Sequence, residues 1–292
     1  MHSHLGALAT LLALTLAHME LTSPAPFNSS ANPHRRTRAD PYLQYPYDCC
    51  GPGARWTYPC RGYLPLLGTL EGAPTATWPA GSQQNWSISG IGNHYGGSCQ
   101  VGFSADRGES FRVATSNEGN CPHRKAGNGP EGQVFNFTVP SDLPPGVQVF
   151  AWTWYNREQE FNMNCGAVNI TSPSRASDPF VSAHETAKNC TCTCPAPTNI
   201  STCACTCPAD LSTGRRSEIP DYAGQRAEGA DVAFHDRPEM LVADVGTGCI
   251  TPKTTAELNF PQPGSDVVAS DGEYPMELPS GPCRTVAYSS GG

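Results

Sequence analysis

From residue 65 to 172 the chain repeats one pattern: short runs of alternating apolar and polar residues, separated by turn clusters such as Pro144-Pro145-Gly146. Asn85-Trp86-Ser87-Ile88-Ser89-Gly90-Ile91 shows it, as do residues 99–104 and 133–139. A strand covered on one face has this period of two, because successive side chains point to opposite sides. Residues 148–155 form the strongest run, aromatic and β-branched, and 163–170 follow it. No helical period lies between these runs. The pattern therefore predicts an all-β sandwich whose helices are short pieces within loops. An opening strand is expected at 18–21, followed by a long irregular loop that Cys49, Cys50 and Cys60 punctuate. Strand-like sequence returns at 240–245 and 256–260, and 269–292 reads as a flexible polar tail.

Residues 173–235 break the pattern and read as an insertion. Asn189-Cys190-Thr191-Cys192-Thr193-Cys194-Pro195-Ala196 nearly recurs as Thr202-Cys203-Ala204-Cys205-Thr206-Cys207-Pro208-Ala209. Alternate cysteines put every thiol on one face of an extended strand. Two such strands predict a disulfide-laddered hairpin; a thiolate cluster for Cu(I) or Zn is the alternative, disfavoured in oxidising surroundings.

Composition narrows the function. The 14 cysteines imply an oxidising compartment. Sequons at Asn28, Asn85, Asn136, Asn169, Asn189 and Asn199 agree with a secreted, extracellular glycoprotein. A net charge of −8 excludes the basic face that nucleic acid requires. The 29 glycines and 28 prolines follow no three-residue period, so they mark turns rather than collagen. No later apolar run is long enough for a membrane helix, and the C-terminal residues carry no lipid-anchor signal.

Residues 5–17 are a short apolar run with Thr15 and Ala17 three and one positions before a possible cut, the small-residue pattern of a signal peptide over 1–17. The opening Met1-His2-Ser3-His4 lacks the usual Lys or Arg. Cutting after Ala17 gives His18 a free α-amine. One residue then offers two nitrogens to a metal, and a second imidazole completes a T of three, an arrangement that favours Cu(II). The second candidate is His94, in Gly92-Asn93-His94-Tyr95-Gly96-Gly97-Ser98-Cys99, where glycines permit a tight turn that leaves the imidazole edge open. His34, His123, His184 and His235 read as solvated, with His123 held in reserve. In Glu158-Gln159-Glu160-Phe161-Asn162-Met163-Asn164-Cys165, alternation puts Glu160 and Asn162 on one face, from which a carboxylate or amide can lie over a metal.

At this point the chain resembles the fungal lytic polysaccharide monooxygenases of auxiliary-activity family eleven, whose characterised members act on chitin. The resemblance is carried in order across 18–268 by His18-Met19, Tyr58-Pro59-Cys60, His94-Tyr95-Gly96-Gly97-Ser98-Cys99-Gln100, Glu118-Gly119-Asn120-Cys121-Pro122, Phe135-Asn136-Phe137-Thr138-Val139-Pro140, Ala151-Trp152-Thr153-Trp154-Tyr155-Asn156, Asn164-Cys165, Val242-Ala243-Asp244-Val245-Gly246-Thr247-Gly248-Cys249 and Phe260-Pro261-Gln262-Pro263-Gly264. It implies an immunoglobulin/fibronectin-like β-sandwich over 18–268 with a flat copper face. His18 and His94 would be the two histidines of a brace for one copper ion, and Glu160 the nearby acid that orients bound oxygen species. Cys60–Cys165 and Cys99–Cys121 would be disulfides. O2 or H2O2 would be co-substrate, an external electron donor would be needed, and the partner would be an insoluble polysaccharide, chitin or a related one, met by a monomer. The family's axial tyrosine is replaced here by Asn162, whose amide oxygen can approach the metal or hold an axial water.

Two other functions fit the same residues. One is a copper-binding protein on this fold without oxidase activity, favoured by Asn162. The other is a metal-free carbohydrate- or cell-wall-binding protein. A glycoside hydrolase does not fit, because Glu158 and Glu160, two apart on one strand, cannot flank a bond from opposite sides. Motifs of serine hydrolases, zinc proteases and nucleotide sites are absent.

Overall fold

Alternation becomes pairing in the computed structural model, which describes residues 18–49, 55–173, 191–193, 204–206 and 232–283. Among the described residues thirteen strands follow in chain order: β1 Met19–Ser23, β2 Ala76–Pro79, β3 Gln83–Gly90, β4 Ser98–Ser104, β5 Arg112–Asn117, β6 Val134–Thr138, β7 Gly146–Tyr155, β8 Phe161–Thr171, β9 Thr191–Thr193, β10 Ala204–Thr206, β11 Glu257–Leu258, β12 Val267–Val268 and β13 Met276–Glu277. The two larger sheets have the orders β1-β3-β6 and β12-β5-β4-β7-β8-β2, and β9–β10 and β11–β13 are separate two-stranded pairs. The long neighbours in both are antiparallel, while β12 and β2 add in parallel at the two edges of the larger sheet.

The sheets close face to face. Met19, Leu21, Trp86, Ile88, Phe135 and Phe137 of the smaller sheet share one buried cluster with Val101, Phe103, Phe150, Trp152, Trp154, Val168 and Ile170 of the larger. The even-numbered residues of β7 and β8 therefore face the sandwich interior. Their odd-numbered neighbours Val149, Ala151, Tyr155, Met163 and Cys165 face a second apolar layer, built with Met240, Leu241, Leu258 and Phe260. The long strands are consequently buried on both sides; every residue of β4 is. This is the immunoglobulin-like sandwich expected from the sequence.

Both implied disulfides are present, Cys60–Cys165 and Cys99–Cys121, and a third joins Cys249 to Cys283. Three expectations need correction. Residues 240–245 are buried but form no strand, because their N–H groups bond outside any ladder: Leu241 to Gln100 Oε1 and Ala243 to the Tyr155 hydroxyl. Glu158 and Glu160 lie on the turn between β7 and β8 rather than on a strand. The expected flexible tail from 269 is anchored as far as Cys283, because β13 pairs with β11, Ile250 bridges Ser280, and the third disulfide ties it down.

The chain divides into two compact units, 1–173 with 231–292, and 174–230. In the second, β9 and β10 pair antiparallel with Cys192 opposite Cys205 in the register. The predicted leader, Cys50, His184, the sequons Asn189 and Asn199, and Cys190, Cys194, Cys203 and Cys207 lie outside the described residues. Among the described residues no helix is long and apolar enough to cross a membrane.

Candidate metal centre

His18 precedes β1 and is buried, 6% exposed. Its carbonyl accepts the Ile91 N–H at 2.9 Å, just beyond the Met19–Gly90 pair that ends the β1–β3 ladder. A Cβ at residue 90 would sit 1.8 Å from that carbonyl, so glycine is required for this approach. The His18 ring packs on Tyr45 with centroids 4.1 Å apart. The chain leaving β3 reaches His94 four residues later, so both histidines emerge from the same end of the β1–β3 pair.

His94 is also buried, 9% exposed, and it opens four consecutive left-handed residues: His94 at φ 45°, Tyr95 at 57°, Gly96 at 106° and Gly97 at 116°. A Cβ at 97 would meet the Tyr155 carbonyl at 2.3 Å, which excludes any larger residue. The Trp154 indole donates to Gly96 O at 3.1 Å, and the Gly97 N–H donates to Glu257 Oε1 at 2.8 Å. The turn leaves Tyr95 71% exposed while its neighbour His94 points inward against the Trp154 ring.

Two carboxylates flank the His94 ring. Glu158 Oε1 lies 3.2 Å from Nδ1 and Glu160 Oε2 3.3 Å from Nε2. One ligand atom from each of the three residues lies within 4.8 Å of the others. Whichever ring nitrogen coordinates a metal, the other still faces a carboxylate that fixes its tautomer. Asn156 shapes this turn, its Oδ1 accepting the N–H groups of Glu158 and Glu160. Burial pushes the Glu160 carboxyl upward, against the lowering effects of the Asn156 amide and of His94; Glu158 and Asp48 add to the rise.

Asn162 stands opposite Trp154 in the β7–β8 ladder and is 1% exposed. It shares the interior face of β8 with Asn164, whose Oδ1 accepts the Leu21 N–H of β1 at 2.9 Å. The Asn162 Oδ1 is buried without a hydrogen-bond partner among the described residues. A buried acceptor left unpaired costs about 1–3 kcal/mol. This unpaired oxygen stands across the ladder from Trp154, on whose ring His94 packs. Two imidazoles, with a terminal amine if His18 is the first residue, form a nitrogen-rich set of the kind that suits Cu(II). In their donor chemistry these residues would fit a copper ion.

His123, the reserve candidate, is stacked on Phe135 with centroids 4.2 Å apart, and His34 and His235 contact a backbone carbonyl and Asp236 respectively. The sequence reading missed Glu158, Tyr45, Glu257 and Arg124. Only Glu158 carried a signal, its two-residue spacing from Glu160.

No family model matches the chain. It is 34% identical over 175 residues to AA11 family lytic polysaccharide monooxygenase A of Aspergillus fumigatus, covering 59% of this chain and 73% of that protein. To AA11 family lytic polysaccharide monooxygenase B of the same fungus it is 27% identical over 309 residues, covering 99% and 59%. To an AA11 family lytic polysaccharide monooxygenase of Aspergillus oryzae it is 32% identical over 198 residues, 63% of this chain but 36% of that one. Among solved structures, a chitin-active lytic polysaccharide monooxygenase in the Cu(I) state overlaps at a TM-score of 0.28 and 12% identity, over 53% of this chain and 99% of that one, too loosely to carry an argument.

Proposed function

From the premise that this chain belongs to the AA11 family of lytic polysaccharide monooxygenases, we propose that it is a secreted copper enzyme that breaks glycosidic bonds of chitin or a related polysaccharide by oxidation. The mature protein begins at His18, and residues 1–17 are removed as a leader. The single observation behind this reading is that His18 and His94 leave the same end of the β1–β3 pair, while an unpaired buried Asn162 oxygen stands across the ladder from Trp154, on whose ring His94 packs.

His18, through its amine and ring, and His94, through its ring, would hold the ion. When bound, copper supplies one-electron chemistry toward O2 or H2O2 that hydroxylates a C–H bond at the glycosidic carbon. Glu160 stands at the His94 ring, its carboxyl raised by burial, and would be the group that exchanges a proton with the co-substrate. Tyr95 projects beside His94 and offers an aromatic face for a sugar ring. Asn162 would offer its unpaired buried oxygen to the ion or to a water on it.

The test uses secreted protein whose first residue has been identified by mass spectrometry. Electron paramagnetic resonance of the copper-loaded form should report nitrogen ligands in a plane. Chitin incubated with a reductant and H2O2 should release oxidised oligosaccharides. A protein starting elsewhere than His18 would sink the reading. A second reading, copper binding without oxidation, is favoured by Asn162 in place of tyrosine; it predicts the same resonance signal with no oxidised product.

A further inference from the structure

We infer that Glu257, paired with Arg124, is a positioning residue for the His94 loop, so that the C-terminal segment controls how His94 is presented. The Glu257 side chain is fully buried. Its Oε1 accepts the Gly97 N–H at 2.8 Å and the Asn120 N–H at 3.2 Å, and it pairs with the Arg124 guanidinium. Arg124 reaches back to the same loop, donating to the Tyr95 carbonyl at 3.2 Å, and outward to Asp271. Its guanidinium lies 5.0 Å from the Tyr274 ring centre; Arg157, from the turn that carries Glu158 and Glu160, lies 3.5 Å from the same centre. One ion pair therefore joins the His94 loop, the loop at 119–124 and the segment at 257–274.

The backbone explains why such a clamp is needed. His94 and Tyr95 both take left-handed dihedrals that non-glycine residues avoid, and such strain persists only where the surroundings over-determine it. Glu257 and Arg124 fix the amide of Gly97 and the carbonyl of Tyr95, on either side of Gly96. The packing is direct: a Cβ at 96 would lie 2.4 Å from an Arg124 nitrogen and 2.6 Å from Glu257 Oε1, and one at 119 would lie 2.6 Å from Glu257 Oε2. A carboxylate that shifts here must move both loops. A buried ion pair costs desolvation wherever it is placed, and this one is placed where the backbone is strained.

The metal half of this inference rests on the copper reading; the loop half does not. The experiment compares wild type, Glu257→Gln and the charge-neutral pair Glu257→Gln with Arg124→Met. Hydrogen exchange of segment 92–99 is followed in metal-free protein, and Cu(II) binding by titration and electron paramagnetic resonance. In Glu257→Gln, exchange across 92–99 should rise at least tenfold while β7 and residues 100–104 of β4 stay protected. Cu(II) affinity should drop about tenfold, with a copper signal split into more than one species. The double variant should show the same exchange, since the clamp is absent there too; it decides the matter if the single variant fails to fold. Wild-type protection of 92–99 in either folded variant, or a rise spread evenly over the sheets, overturns the inference. A wild type that gives no copper signal refutes the copper reading alone, because the exchange result still decides the clamp.

Discussion

Asn156 grips Glu160 at both ends. Its Oδ1 accepts the Glu160 N–H at 3.1 Å, and its Nδ2 donates to Glu160 Oε2 at 2.5 Å. One side chain thus shapes the turn after β7 and aims the carboxylate at His94. The two roles separate by substitution. Asn156→Asp keeps the acceptor that shapes the turn but sets a second carboxylate against Glu160. Folding stability should change little, whereas oxidised-product yield should fall. Asn156→Ala loses both roles and should cost about 2 kcal/mol in denaturant unfolding, in the range for several buried hydrogen bonds lost together. Equal stability losses in the two variants would refute the separation.

The terminal amine is the second point to probe. One residue added before His18 turns the amine into an amide, which is a poor ligand at neutral pH. Cu(II) affinity by calorimetry should fall by orders of magnitude, and His94→Ala should do comparable damage. Because ligand binding stabilises by RT ln(1 + [L]/Kd), wild type should gain a Cu-dependent rise in Tm that both variants lack. An extended protein that keeps full affinity would remove His18 from the site.

Asn162 should trade stability against copper. Its buried oxygen has no hydrogen-bond partner among the described residues, so the near-isosteric Asn162→Leu should raise the stability of the metal-free protein by roughly 1 kcal/mol. The same change should weaken Cu(II) binding and alter the axial features of its resonance spectrum. Loss of stability without any spectral change would make Asn162 an ordinary core residue.

Much of the sandwich was legible because its strands combine alternation with β-branched and aromatic residues, as β3, β6 and β7 do. β2 and β5 were not. β2 has four residues, including a proline, too few for a period to emerge. β5 ends in Thr115, Ser116 and Asn117, all buried, so polarity there does not mean exposure. Ser116 is satisfied by the Gln100 amide and the Pro263 carbonyl, and Thr115 by Asp266, partners brought in by tertiary packing. The apolar run at 240–245 signalled burial correctly, but burial under the outer face of a sheet does not require a ladder. His94 and Glu160 could be found from local context. Glu257 could not, since it meets Gly97 across 160 positions of sequence.

The C-terminal disulfide should matter more than a tail would. Cys249–Cys283 closes a loop of sequence separation 34, which the chain-entropy account values at roughly 4 kcal/mol. Replacing both cysteines by serine should lower the denaturation midpoint accordingly. Because the bridge anchors the segment that pairs β13 with β11, it should also raise hydrogen exchange at 257–258. A change below about 1 kcal/mol would show that 269–283 contributes nothing to the fold.

Mild acid should stabilise the metal-free protein. Burial raises the Glu20 carboxyl above its ordinary 4.5, with Arg61 lowering it and Asp40 adding to the rise. Burial likewise raises Glu118, against a hydrogen bond from the Phe260 N–H, and Asp244, against two from Thr251. In the window just above the ordinary carboxylate values, the folded state holds protons that the unfolded chain has released. Stability there falls as pH rises and returns as pH drops. Asp106 runs the other way: burial would raise it, but hydrogen bonds from Ser104 and Ser110 outweigh that and lower it. Its contribution is present above its ordinary 3.8 and is lost as pH falls through the lowered value. The Tm of the metal-free protein should therefore be higher at about pH 5.5 than at about pH 7.5, and should decline below about pH 4. Glu20→Gln should flatten the upper limb. A Tm that climbs steadily from pH 5 to 8 in wild type would show that the fold does not raise these half-buried carboxyls.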